Sequence, residues 1–140
     1  MKKMILPLLL FFSLISNAQP KDSIAGQSQQ PDTTLFQKVE IEAEFPGGDA
    51  AWIKYIQGVL ERNIDKLSRN KASVGTCEVQ FIVDKDGSVT NVEALTMKKS
   101  LLAKLLIEAI KDGPRWKPAI QFGKKVKAWR RQKVTFRAPE

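Results

Sequence analysis

Apolar residues recur at helical spacing in two stretches of the chain. The first stretch, residues 49–62, gives a helix one apolar face, which consists of Trp52, Ile56, Val59 and Leu60. The second stretch has a wider face, which consists of Leu101, Leu102, Leu105, Leu106, Ala109 and Ile110. Ser100 has the side chain of a good N-cap, and Gly113-Pro114 is typical of a helix end. The pattern predicts two amphipathic helices, and the polar stretch 63–73 between them is predicted to be a loop.

A β-hairpin is predicted between the two helices. It begins with strict alternation at residues 76–84, whose apolar positions are Cys77, Val79, Phe81 and Val83. The tight turn Asp84-Lys85-Asp86-Gly87 leads to the returning strand, residues 89–95. Val89 and Val92 cannot share one face of a regular strand, so a β-bulge is predicted there. Because Cys77 is on the apolar face, a buried and inert thiol is favoured over a reactive one.

A third strand is predicted at residues 126–137, after the second helix. The order of helix, hairpin, helix and strand predicts the α+β class, with a small three-stranded antiparallel sheet and two helices on one face. A sheet of three strands has exposed edges, and exposed edges recruit further strands. The last strand is such an edge, and it is rich in Lys and Arg.

The first 18 residues have the pattern of a secretory signal peptide. Lys2 and Lys3 precede an apolar run, residues 4–15, and Ser16 and Ala18 are the small residues expected before a cleavage site. The run is shorter than the ~20 apolar residues of a membrane-spanning helix. A retained membrane anchor is the alternative. Residues 19–34 are predicted to be a flexible linker, and residues 35–140 are predicted to form the folded domain.

The composition excludes several kinds of chemistry. The 140 residues include one Cys and no His, which removes imidazole catalysis, His-ligated metals and intrachain disulfides. The turn from Asp84 to Gly87 is not a calcium loop, because Leu95 would stand at the twelfth position, where such a loop needs a glutamate. We therefore predict a binding protein rather than an enzyme, with no catalytic residue, metal site or cofactor.

The net charge of +8 comes from the C-terminal end of the chain. Residues 114–140 contain nine Lys or Arg and one acidic residue. Basic residues interleaved with aromatic ones are compatible with nucleic-acid binding, but export of the chain argues against that partner. Peptidoglycan, other anionic glycans and polar peptides are the partners that this charge favours.

Four sequence blocks, in this order, resemble the C-terminal domain of TonB-family proteins of the Bacteroidetes type. They are Phe45-Pro46-Gly47-Gly48 with Trp52, the hairpin with Asp86-Gly87, the segment with Trp116 and Pro118, and the ending from Gly123 to Phe136. The resemblance covers residues 40–137. It implies structural roles for the residues that carry it, which are Phe45, Pro46, Gly47, Gly48, Trp52, Asp86, Gly87, Trp116, Pro118, Gly123 and Phe136.

The resemblance implies a non-enzymatic domain in the periplasm of Gram-negative bacteria. Such domains bind the TonB box, an extended segment of outer-membrane transporters, by adding it as a strand at the edge of their third strand. The matching contact residues in this sequence are Val126, Lys127, Ala128, Trp129, Arg130, Arg131, Gln132, Lys133 and Val134.

The resemblance leaves several partners open. With the N-terminal segment retained as an inner-membrane anchor, the chain would be a complete energy transducer that contacts inner-membrane motor proteins. With that segment cleaved, it would be an adaptor for a transporter or for another TonB-family chain. Binding of peptidoglycan is an alternative of another class, and an exposed strand edge also permits a homodimer.

Overall fold

The computed structural model describes residues 34–140, which form helices and a β-sheet. The elements are β1 (Leu35–Phe36), α1 (Gly48–Glu61), α2 (Ile64–Arg69), a 3₁₀ turn (Lys71–Ser73), β2 (Gly75–Val83), β3 (Val89–Ala94), α3 (Leu101–Lys111), β4 (Ala119–Gln121) and β5 (Lys124–Phe136). The predicted α+β class is confirmed. The predicted signal peptide and nearly all of the predicted linker lie outside the described residues.

The sheet is built around β5. Its strand order is β1-β5-β2-β3, and β4 pairs with the start of β5. The three long strands β3, β2 and β5 are antiparallel, as predicted. β2 and β5 pair from Gly75 with Phe136 to Val83 with Ala128, which fixes the register of the whole sheet. Two short strands extend this antiparallel core: β1 runs parallel to β5, and β4 forms a hairpin with it.

The helices cover one face of the sheet, and the apolar patterns explain why. α3 packs on β2 and β3, and α1 packs beside α3. The alternating residues of β2 are fully buried against them, and these residues are Cys77, Val79, Phe81 and Val83. The predicted buried thiol of Cys77 is therefore confirmed, and its burial raises the pKa of the thiol. A neutral, enclosed thiol is a poor nucleophile.

Two local predictions in this part of the chain are confirmed. Ser100 caps α3, because its Oγ accepts a hydrogen bond from the N–H of Ala103 at 3.0 Å. β3 contains the predicted bulge, since its register with β2 shifts between Gln80 and Ile82. Asn91 adopts a φ of 52° in the bulge, a left-handed conformation that asparagine tolerates better than most residues.

The prediction of a loop at residues 63–73 is wrong. The segment forms α2 and the 3₁₀ turn because Leu67 is fully buried in the core. Ser73 is also buried, and its Oγ accepts a hydrogen bond from the N–H of Leu102 at 3.3 Å. One apolar residue therefore attaches this mostly polar segment to the core, and one hydroxyl attaches it to α3. Such sparse anchoring leaves no periodic signal in the sequence.

The hairpin between β4 and β5 yields a first prediction. Phe122 and Gly123 both have positive φ, 51° and 71°, and Phe122 is 79% exposed. A two-residue turn of this kind favours Asn-Gly, because phenylalanine has no side-chain group that stabilises the left-handed region. Phe122→Asn is expected to raise the free energy of unfolding by about 0.5–1 kcal/mol. Urea unfolding measures it; Phe122→Leu is the control without effect, and a destabilised asparagine variant would contradict the prediction.

Candidate strand-binding site

β5 has an unpaired stretch along the edge that faces away from β2. On that edge β1 pairs with β5 only at Lys127 and Ala128. From Trp129 onward, no strand among residues 34–140 continues the pairing. We call residues Trp129–Thr135 on this side the open edge. A row of unpaired N–H and C=O groups at a sheet edge is a template for another strand.

The register shows which backbone groups point to the open edge. The N–H of Asp84 donates to the carbonyl of Ser88 at 2.9 Å, so even-numbered residues of β2 direct their backbone groups to β3. The odd-numbered residues of β2 therefore bond to β5, where the register pairs them with even-numbered residues. The residues that direct N–H and C=O to the open edge are consequently Trp129, Arg131, Lys133 and Thr135.

The side chains of β5 divide between the two faces of the sheet. The even-numbered residues lie on the face that α1 and α3 cover, where Val126, Ala128, Val134 and Phe136 are buried. The odd-numbered residues lie on the outer face, where Arg131 and Lys133 are exposed and Trp129 is half-buried. Arg130 and Arg131 are both among the contact residues that the resemblance implies, but the structure places them on opposite faces of the sheet.

Arg130 anchors another part of the chain. Its side chain is only 18% exposed, and its Nη1 donates to Oε2 of Glu42. Its Nε is buried and has no hydrogen-bond partner among the described residues. Glu42 belongs to the segment 41–44, which also bridges to Ile120 and Lys117 through its backbone. Arg130 therefore holds this segment against β5, and its charge is turned away from the outer face.

Two depressions border successive parts of the open edge. The first, which we call the Trp129 cavity, has a volume of about 380 Å³ and is lined by Gln37, Lys38, Glu42, Trp129 and Arg131. The second, which we call the α1 groove, has a volume of about 260 Å³ and is lined by Trp52, Ile53, Ile56, Gln57, Leu60, Lys133, Val134 and Thr135. A strand on the open edge would pass both of them.

Positive charge dominates the outer face along the open edge. Arg131 lies 3.7 Å from a carboxylate oxygen of Glu78, and the Arg131 side chain is 64% exposed. An ion pair so exposed contributes little, on the order of 0–1 kcal/mol. Lys133 makes no ion pair within the part of the chain that the structure describes, and it is exposed. The two cations remain available to an acidic ligand.

Most of the residues that carry the family resemblance hold the fold and lie away from the open edge. Phe45, Trp52 and Trp116 form one buried aromatic cluster with ring centroids 5.5–5.6 Å apart. Trp116 also contacts Phe81 of β2 at 4.9 Å, so the cluster connects α1 to the sheet. Of this cluster, Trp52 alone also borders the α1 groove. Trp52 and Trp116 are both buried, so they are core residues.

The remaining residues of the resemblance sit at turns and at the end of the sheet. Gly47 and Gly48 lead into α1 with φ of 90° and 81°. Asp86 accepts hydrogen bonds from the hydroxyl and the N–H of Ser88, which lower the pKa of its carboxyl. Phe136 is buried at the end of β5, and Pro118 is half-buried next to β4. Their burial and backbone geometry support structural roles.

Sequence reasoning missed residues that shape the site from other elements. Ile53 is 55% exposed and borders the α1 groove, and Gln57 and Leu60 follow it along the same flank of the helix. Glu42 reaches Arg130 from 88 positions away. Ile53 carries a usable signal, because it is an apolar residue outside the buried face of an amphipathic helix. Glu42 carries none, since its partner is set by the tertiary structure.

Comparison with known proteins identifies one family. The family model described as the Gram-negative bacterial TonB protein C-terminal matches residues 66–138, which include β2, β3, α3, β4 and β5. No curated protein and no solved structure matches the chain. Among residues 34–140, no helix is long and apolar enough to cross a membrane.

Proposed function

The chain belongs to the family of Gram-negative bacterial TonB C-terminal domains, and from this premise we propose that it binds the TonB box of an outer-membrane transporter as an added strand. The family is non-enzymatic, associated with the envelope, and serves TonB-dependent transport. The proposed contact is the open edge of β5.

The observation that carries this proposal is the open edge itself. Arg131, Lys133 and Thr135 direct backbone groups outward where no strand among residues 34–140 pairs with them, and two depressions border the same stretch. Main-chain hydrogen bonds supply affinity in strand addition, and depressions beside the edge accept alternate side chains of the ligand. Exposed Arg131 and Lys133 also oppose self-association of the edge, because a second copy would bring the same charges together.

The pairing within the sheet supports a narrower set of proposed contact residues. Val126 already pairs with Ala119 of β4, and Lys127 and Ala128 already pair with β1. Their backbone groups are therefore less available than those further along β5. We propose that the added strand contacts the stretch from Trp129 to Val134 and extends to Thr135.

The test is a proline at the centre of the open edge. Lys133→Pro removes an N–H that points away from β2, so the sheet should stay intact while the edge loses a donor. Lys133→Ala is the matched control, which loses the charge and keeps the donor. The probes are fluorescein-labelled peptides from the periplasmic N-terminal segments of outer-membrane transporters of the same organism, measured by fluorescence anisotropy.

We expect Lys133→Pro to weaken binding at least about ten-fold and Lys133→Ala to weaken it less than about three-fold. Far-UV circular dichroism and the melting temperature should be close to wild type for both variants. Equal affinities of wild type and a folded Lys133→Pro variant would refute the open edge as the site. A wild-type chain that binds none of the peptides would refute the proposed ligand.

A further inference from the structure

The flank of α1 presents a row of two apolar residues and one glutamine beside the open edge. The helix buries Trp52, Ile56 and Val59 in the core. Ile53, Gln57 and Leu60 follow at intervals of four and three residues, so they line one flank of the helix. Ile53 stays 55% exposed, and the α1 groove separates this flank from Lys133, Val134 and Thr135.

A strand added at the open edge would turn alternate side chains toward this flank. Neighbouring strands lie ~4.8 Å apart, and successive side chains point to opposite faces of the sheet. The inward residues of the added strand would continue the row of Gln132 and Val134, on the face that the helices cover. Their nearest surroundings would be the α1 groove, whose lining includes Trp52, Ile53, Ile56, Leu60 and Val134.

The outward residues of the same strand would meet a different environment. They would lie next to Arg131 and Lys133, which are exposed on the outer face of the sheet. Carboxylates at these positions are complementary to the two cations, whereas basic residues are repelled.

We infer that the site selects an extended peptide in which apolar and acidic residues alternate. The α1 groove accepts the apolar side chains, and Arg131 and Lys133 attract the acidic ones. A shift of one residue in register exchanges the two faces, so the alternation of the ligand also fixes how it docks. This inference rests on the proposed strand addition and adds the chemical class of the ligand.

The test uses three synthetic ten-residue peptides, in which valine alternates with glutamate, serine with glutamate, or valine with lysine. The wild-type chain is expected to bind the valine–glutamate peptide at least about ten-fold more tightly than either of the others. Ile53→Asp places a charge in the α1 groove, and it is expected to lower the affinity for the valine–glutamate peptide about ten-fold. It should leave the serine–glutamate affinity within about three-fold of wild type.

The matched control is Ile41→Asp, which changes an isoleucine that is 60% exposed and lies on the segment bridged to Ile120, outside the lining of the α1 groove. It should leave the affinity for valine–glutamate unchanged. Equal effects of the two aspartates, or equal wild-type affinities for the three peptides, would overturn the inference.

The Lys133→Pro variant distinguishes a failure of strand addition from a failure of selection by the α1 groove. If it weakens binding of the valine–glutamate peptide while Ile53→Asp does not, strand addition is supported and selection by the groove is refuted. If the proline has no effect on a bound peptide, strand addition itself fails, and the inference that depends on it fails too.

Discussion

Gly87→Ala is expected to lower the free energy of unfolding by about 3–5 kcal/mol. Gly87 has a φ of 84°, and a Cβ at this position would lie 2.1 Å from the carbonyl oxygen of Trp116. That oxygen belongs to the backbone, so no side chain can rotate away to relieve the clash. The N–H of Trp116 also donates to the carbonyl of Gly87 at 2.9 Å. If the backbone at Gly87 moved away from Trp116 to relieve the clash, this hydrogen bond would be lost.

Gly123→Ala is the control that isolates the clash. Gly123 also has a positive φ, 71°, but a Cβ there would meet nothing within 4 Å. Its substitution should therefore cost only the left-handed backbone penalty, about 1–2 kcal/mol. Urea unfolding of the two variants, followed by circular dichroism, measures the difference. Equal losses would show that the contact between Gly87 and Trp116 is not a tight one.

Long periodic elements could be predicted from the sequence because their signals are local. The faces of α1, α3 and β2 follow from spacing alone, and the turn before Gly87 follows from its residue types. Such a pattern can be recognised without knowing which elements pack against each other, because each element needs one apolar face.

The short elements could not be predicted in the same way. β1 has two residues and β4 has three, and both exist because β5 offers them backbone partners. A segment of that length has too few positions to show a period. The prediction for the α2 segment was wrong for a related reason: Leu67 is the one fully buried apolar residue that attaches the segment to the core.

The position of the candidate site could be predicted, but its boundaries and faces could not. The sequence predicts that the third strand is an exposed basic edge, and the open edge lies within it. Its limits depend on β1, which covers Lys127 and Ala128. Arg130 breaks the binary pattern of an inner strand face, because Glu42 pairs with it there. The sequence does not indicate this ion pair, because Glu42 and Arg130 come together only in the folded chain.

Trp116→Ala is expected to lower the free energy of unfolding by about 3–5 kcal/mol, the cost of removing a buried aromatic side chain. Trp116 is 3% exposed and contacts Phe45, Trp52 and Phe81. Its loss would leave a cavity between α1 and β2. Because Trp52 also borders the α1 groove, the variant should bind peptide less tightly through loss of helix position.

Trp129→Ala is the contrasting variant, since Trp129 is half-buried on the outer face, where it pairs with Ile82 and lines the Trp129 cavity. It should cost only about 1 kcal/mol of stability, but it should weaken peptide binding by about three- to ten-fold. Urea unfolding by far-UV circular dichroism, which does not depend on the tryptophan signal, measures the first effect, and anisotropy measures the second. Equal stability losses in the two variants would contradict the assignment of Trp116 to the core and Trp129 to the binding edge. The contrast holds because the Trp116 ring is almost fully buried against three other aromatic rings, whereas the Trp129 ring is half-buried and lines the Trp129 cavity.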